Sequence, residues 1–187
     1  MSAAKELSEN CKQALDYASR GWKVFPLYEP IECNADIFQA NCSCGNANCE
    51  NVGKHPRVGW TSWATTDPET ISKFWAAHPK ANIGLVTGGG ILVVDIDQDK
   101  GGYESLRELE DNHGELPESR RHRTGNGEHL LFKVSTGESI SNRVGHAGRG
   151  IGEGIDIRGD GGYVVAPPSL HYTGREYTHD PGSPEEL

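Results

Sequence analysis

Near the start of the chain the apolar positions Leu7, Cys11, Leu15 and Ala18 recur at helical spacing, and Gly21 follows as a stop signal. The segment WKVFPL then predicts a short strand ending at Pro26. From Tyr28 to Gly59 the periodicity dissolves into Asn, Cys, Gly and Pro, a stretch too long to stay structureless in a compact domain unless something orders it. A second helix is predicted from Thr66 or Asp67. Thr66 and Glu69 have capping-box spacing, Pro68 suits the first turn, Ile71, Phe74, Trp75 and His78 form the buried stripe, and Pro79 ends it. NIGLVTG and ILVVDID read as two strands joined by the glycine turn at 88–90. A third helix over about 103–112 turns Leu106 and Leu109 inward. Strand-like segments follow near 121–124 and at EHLLFKV, GIDIRG and GYVVAPP. This order predicts an α/β or α+β sandwich, helices packed on a largely antiparallel sheet, with α+β the class expected. One domain is expected over residues 1–180, with a module inserted at about 31–57 and a linker or frayed end over 181–187.

Three of the strands share a peculiarity. In ILVVDID, Leu92, Val94 and Ile96 face one way, and Val93, Asp95 and Asp97 the other. In EHLLFKV, His129, Leu131 and Lys133 oppose Leu130, Phe132 and Val134; in GIDIR, Asp156 and Arg158 oppose Ile155 and Ile157. If the three are neighbours in one sheet, Asp95, Asp97 and Asp156 converge with His129, Lys133 and Arg158. Clustered carboxylates repel one another unless cations neutralise them, and Mg²⁺ or Mn²⁺ take oxygen ligands while keeping positions open for phosphate and water. Two such ions can activate a hydroxyl and stabilise a departing pyrophosphate. Taken singly, the Asp-Ile-Asp pair also suits turn chemistry with Asp99 and Gly101, His129 a structural histidine, and Lys133 and Arg158 solvated charges.

Charge changes the picture of partners. Lys plus Arg number 18 against 27 Asp plus Glu, a formal net charge of −9. Such a chain is a poor non-specific binder of nucleic acid, so any contact with DNA needs a local basic face or bridging cations. The N-terminus lacks a signal-like apolar region, and the odd cysteine count of 5 suits a reducing cytoplasm.

In this order, TGGGILVVDID, TGNGEHLLF and GIDIRGDGGYVVAPPS resemble the bifunctional primase-polymerase domain of the archaeo-eukaryotic primase superfamily. GKHPRVGW, ATTDPETISKFW and PKANIGLVTG are similar to that family as well, so the resemblance spans about Gly21 to Ser169. It implies an RRM-like catalytic antiparallel sheet flanked by helices, with a smaller N-terminal α/β part. It also implies template-directed DNA primase and polymerase activity, transferring nucleotides from NTP or dNTP to a 3′-hydroxyl in replication of a phage, plasmid or other mobile element. Single-stranded template and primer are the implied partners, with a helicase downstream or in trans. The family's acidic pair maps onto Asp95 and Asp97, its phosphate-contacting histidine onto His129, and its third acidic position onto Asp156. Two Mg²⁺ or Mn²⁺ ions are the implied catalytic cofactors. Arg158 and Lys54 carry over as phosphate contacts. The superfamily often has Ser-x-His where this chain has Gly127, leaving Thr124 or the amides around Gly125 and Gly127 to substitute.

The cysteine-rich stretch offers Cys42, Cys44, Cys49 and His55, with Cys33 upstream as a fifth candidate for the four places of a tetrahedral zinc. The four form the tight cluster, and the resemblance includes a similar CxCG…C…GKHP stretch; Cys33 remains an alternative to Cys42 or His55. The expected role is structural zinc, since no base stands beside it. Trp75 is expected in the core, Trp60 or Trp63 either half-buried or against a base, and Arg143 and Arg149 on a loop able to reach phosphates. Two competing readings are a replication-initiator nuclease, whose His-x-His signature is absent, and a non-catalytic nucleotide- or DNA-binding module.

Overall fold

The protein is described from a computed structural model that covers residues 6–34, 39–135, 137–144 and 150–187, with the side chains of 33, 34 and 39 outside the description. Two compact units divide the chain.

The first unit comprises the chain up to Leu85 together with Val165–Tyr177. Its opening helix, α1 (Glu9–Ser19), starts where the Ser8 side chain accepts a hydrogen bond from the Cys11 amide and buries Cys11, Ala14, Tyr17 and Ala18. β1 (Val24–Leu27) is an edge strand of a three-stranded sheet and pairs antiparallel with β4 (Asn82–Val86); β9 (Tyr163–Ala166) lies on the other side of β4. The expected stop at Pro26 is overrun by one residue. An edge strand tolerates a proline whose missing N–H would face outward. β2 (Pro30–Asn34) and β3 (Gln39–Cys42) form a separate hairpin. A single turn, α2 (Trp60–Trp63), precedes α3 (Pro68–Ala77). The cap of α3 is Asp67, whose Oδ2 accepts from the Thr70 amide at 2.8 Å, so the Thr66–Glu69 box is not the starting device. α3 packs on α1 and buries Ile71 and Trp75, while Phe74 is half-buried and His78 is exposed.

Buried polar groups tie the later segment to this unit. Tyr17 Oη donates to the Pro167 carbonyl, the Ile83 amide donates to Ser169 Oγ, and the fully buried Asn82 side chain bonds both Gly53 and Leu170. Each satisfied group avoids a desolvation cost of about 1–3 kcal/mol.

The second unit comprises Val86–Val164 and Thr178–Leu187. Its five-stranded antiparallel sheet runs in the order β10 (Thr178–His179), β6 (Arg120–Arg123), β7 (Gly127–Lys133), β5 (Ile91–Asp97), β8 (Ile155–Arg158). One face carries Val94, Ile96, Leu130, Ile155 and Ile157, against which Tyr103, Leu106 and Leu109 of α4 (Gly102–His113) pack. Each such side chain contributes about 1.5–3 kcal/mol when fully buried. β4 and β5, consecutive in sequence, belong to different sheets. Gly88, Gly89 and Gly90 all have positive φ, and the Gly88 amide donates to the Ile91 carbonyl, so the chain turns without forming a ladder between its flanks.

Candidate functional site

The register of the central strands decides what the polar face can do. β5 pairs with β7 so that Asp95 stands opposite His129, and with β8 so that Asp95 also stands opposite Asp156. Directly opposed residues of an antiparallel pair project to the same face with Cβ atoms about 4.5–5.5 Å apart. Asp95 is therefore flanked by an imidazole and a second carboxylate. His129 Nε2 lies 3.4 Å from Asp95 Oδ1. Arg158, opposite Val93 on that same face, reaches Asp156 at 2.6 Å and Asp95 at 3.6 Å.

Asp97 lies two residues further along β5, opposite Gly127. Its carboxylate bonds Lys100 at 2.6 Å and Asn126 Nδ2 at 3.2 Å, and its amide donates to the Gly154 carbonyl. The Lys100 ammonium is held above its ordinary range, first by the hydrogen bond to Asp97 and then by the fields of Asp97, Asp156 and Asp95. One cation thus senses all three carboxylates. Lys100 and Arg158 offset the charge of these carboxylates, whose oxygens are the donor type that Mg²⁺ and Mn²⁺ prefer.

Two glycines make room for this arrangement. A Cβ on Gly102 would stand 2.6 Å from the Gly154 carbonyl oxygen and 2.8 Å from that of Asp97; Gly154, with φ at 67°, is equally enclosed. The start of α4 and the start of β8 thereby close on the end of β5.

Not every expected residue joins the cluster. Lys133 is opposite Ile91 and exposed, four residues from His129, roughly 13 Å along the strand. Lys54 belongs to the first unit, exposed, its ammonium 5.9 Å from the Tyr172 ring centroid. Thr124 closes the β6–β7 turn: its Oγ1 accepts from the Asn126 amide, and its own amide donates to the Gly127 carbonyl. Arg143 pairs through its backbone with Ile157, whereas Arg149 lies outside the described residues. Trp60 stacks on Phe25, and Trp63 meets Phe74 edge-on with 53 % of its surface exposed. The sequence reading missed Lys100, Asn126 and the polar side chains of β6. Arg120 and His122 do alternate onto one face in RRHR, but nothing local shows that this face continues the row from Asp95.

The first unit holds a second cluster. One ligand atom from each of Cys42, Cys44, Cys49 and His55 falls within 4.8 Å of all the others. His55 Nε2 lies 3.3 Å from Cys42 Sγ and 3.5 Å from Cys49 Sγ. A tetrahedron with Zn–S near 2.3 Å and Zn–N near 2.0 Å sets ligand atoms roughly 3.5–3.8 Å apart, so the donor set and its spacing fit zinc. Burial pushes the Cys42 thiol up to about 11, and burial together with the Arg57 charge lowers His55. Tyr28 stacks on the His55 ring at 4.7 Å and meets Arg57 on its face, and Arg57 pairs with Glu29 at 2.7 Å. The alternative ligand Cys33 has its side chain outside the described residues.

No helix among the described residues is long and apolar enough to cross a membrane. The family model described as bifunctional DNA primase/polymerase, N-terminal, matches residues 14–187. No curated protein matches the chain.

Proposed function

The chain belongs to the bifunctional DNA primase/polymerase family, nucleotidyltransferases that act on DNA and nucleotides, and from that premise we propose that it is a template-directed DNA primase and polymerase. Primer and template are single-stranded DNA, the substrates are NTPs or dNTPs, and the setting is replication of a phage, plasmid or similar element in the cytoplasm of its host, with a helicase as partner. The catalytic domain is residues 1–180, and its five-stranded sheet is the RRM-like sheet of the family. The observation that carries the reading is the register that sets Asp95 between His129 and Asp156 on one face.

Asp95, Asp97 and Asp156 would hold two Mg²⁺ or Mn²⁺ ions, which when bound supply Lewis-acid activation of the attacking 3′-hydroxyl and charge stabilisation at the leaving pyrophosphate. The protein's own groups bind and orient. His129, at the edge of the acidic pair, donates to the β- and γ-phosphates. Arg158, whose guanidinium already lies against Asp156 and Asp95, is placed to fork onto phosphate oxygens. Thr124 and the Gly127 backbone line the turn beside Asp97. Zinc at Cys42, Cys44, Cys49 and His55 is structural, because four protein ligands leave no open position.

Primer extension by the D95N and D156N variants tests the reading. Loss of a metal ligand removes several kcal/mol of transition-state stabilisation, so incorporation should fall roughly a thousandfold in each. Circular dichroism and zinc content should stay unchanged. Extension at the wild-type rate by either variant would remove the assignment.

A further inference from the structure

The row of side chains through Asp156, Asp95 and His129 continues across β6 and β10, where His122 faces His129 and His179 faces His122. Arg120, Arg158 and Lys100 border this row, and each is held differently. Arg120 is buried; its Nε donates to His122 Nε2 at 3.4 Å, and its terminal nitrogens meet His179 Nδ1 at 3.2 Å and the Glu185 carbonyl. Arg158 reaches both Asp156 and Asp95, and its side chain is 26 % exposed. Lys100 lies beyond the sheet, in the 3₁₀ turn Gln98–Lys100 that follows β5, and its side chain is 60 % exposed.

The backbone of Lys100 is fixed, while its ammonium is only tethered. Gly101 takes a φ of 75° and its amide donates to the Gln98 carbonyl. The chain thereby doubles back, and Lys100 Nζ returns to Asp97 Oδ2 at 2.6 Å. A Cβ on Gly154 would stand 2.7 Å from the Lys100 carbonyl oxygen, so the turn is packed against the approach to β8 and Asp156. The ammonium itself rides on a flexible aliphatic stem. The fields of Asp97, Asp156 and Asp95 all act on it. Carboxylates gathered in one place repel one another unless a cation stands among them, and here the chain supplies that cation from its own turn. An exposed lysine–carboxylate pair is weak and screened by salt, so a divalent ion competes with it on favourable terms. The guanidiniums of Arg120 and Arg158 are more buried and held at several points, and they do not yield so readily.

We infer that Lys100 is the resident counter-ion of the acidic site: it neutralises Asp97 while no divalent cation is bound and gives up that carboxylate when one binds. The inference rests on the reading that Asp95, Asp97 and Asp156 hold Mg²⁺ or Mn²⁺. Lys100 stays charged throughout; what changes is its position. Its charge opposes the incoming ion, so metal affinity is set lower than the carboxylates alone would give. Lys100 thus fixes the divalent-ion concentration at which the site fills.

Titration with Mn²⁺, followed by the electron paramagnetic resonance signal of the free aquo ion on the zinc-loaded full chain without nucleotide, tests this. K100M should bind Mn²⁺ about threefold more tightly or better, the competition expected from an exposed ion pair. K100R, which keeps the charge, should stay near wild type. K73M, which removes the same charge from the exposed Lys73–Glu69 pair on α3, should also leave the affinity unchanged. Affinity in K100M equal to or below wild type, or equal tightening in K73M or K100R, would overturn the role. If K100M does not fold, K100Q carries the same expectation. D95N separates this role from the metal site it rests on, because Asp95 is not the carboxylate that Lys100 bonds. Weakened Mn²⁺ binding in D95N with wild-type affinity in K100M removes the counter-ion and leaves the site. Unchanged binding in D95N, or no binding by wild type, removes both.

Discussion

Gly127 stands where the resemblance calls for a serine, and the backbone gives the reason. Its φ is 154°, and a Cβ there would overlap the Ile96 carbonyl oxygen. A hydroxyl at this position cannot be accommodated while β5 and β7 keep their register. G127S should therefore fail to add a phosphate contact and should instead lose about 2 kcal/mol or more of stability, a typical cost of overpacking with strain. A lowered urea midpoint together with slowed extension is the expected result. A second consequence at this scale concerns pH. His122 is held well below its ordinary range by burial and by facing His129 on β7, His179 on β10 and Arg120 on its own strand. In the unfolded chain the imidazole takes a proton near pH 6.5, while in the fold it does not. The unfolded state thus binds more protons below about pH 6.5, and stability falls as pH drops through that point, by up to about 1.4 kcal/mol per unit from this one group. Urea midpoints at about pH 7.5 and 5.5 should show a larger drop in wild type than in H122N.

At the level of elements, the segment that lost periodicity is ordered by its ends and by its ligands. β2 and β3 supply a hairpin ending at Cys42, the Asn82 side chain holds Gly53, and Tyr28, Arg57 and Glu29 brace His55. Since such a loop has little apolar surface of its own, a bound zinc contributes folding free energy directly. One zinc per chain is expected by elemental analysis, retained in C33S and lost in C49S and H55A. Loss worth about 3 kcal/mol would lower Tm by roughly 6–12 °C for a chain of this size. Zinc retention by C49S and H55A, or loss in C33S, would reassign the ligands. The acidic site depends on element junctions in the same way. Gly102 and Gly154 allow the helix start and the strand start to close on Asp97, so packing of α4 and placement of the carboxylates are one event.

The whole chain is interleaved. The first unit runs to Leu85 and resumes at Val165, and the second begins at Val86 and resumes at Thr178. Neither is a continuous segment. A fragment of residues 1–85 lacks β9 and the Ser169, Pro167 and Leu170 groups that satisfy Ile83, Tyr17 and Asn82. It should remain largely unfolded, with poor amide dispersion in NMR spectra, whereas residues 1–187 should melt as a folded protein. Net charge acts at this scale too. With −9 overall, the field of the chain does not favour nucleic acid, so DNA binding requires cations placed locally.

Periodicity by itself determined α1, α3 and α4 and the alternation of β5, β7 and β8, but not the single turn α2, because side-chain direction follows from a local repeat of 3.6 or 2.0 residues sustained over several turns. Ligand spacing likewise made the Cys42, Cys44, Cys49 and His55 cluster legible, since those donors are close along the chain. Only tertiary structure decided that β4 and β5 part into different sheets and that Lys133 ends far from His129. It alone showed that Arg120, His122 and His179 extend the row from Asp95. Register is fixed by pairings between residues that are distant in sequence, and a pattern confined to one strand carries no information about which residue it will face.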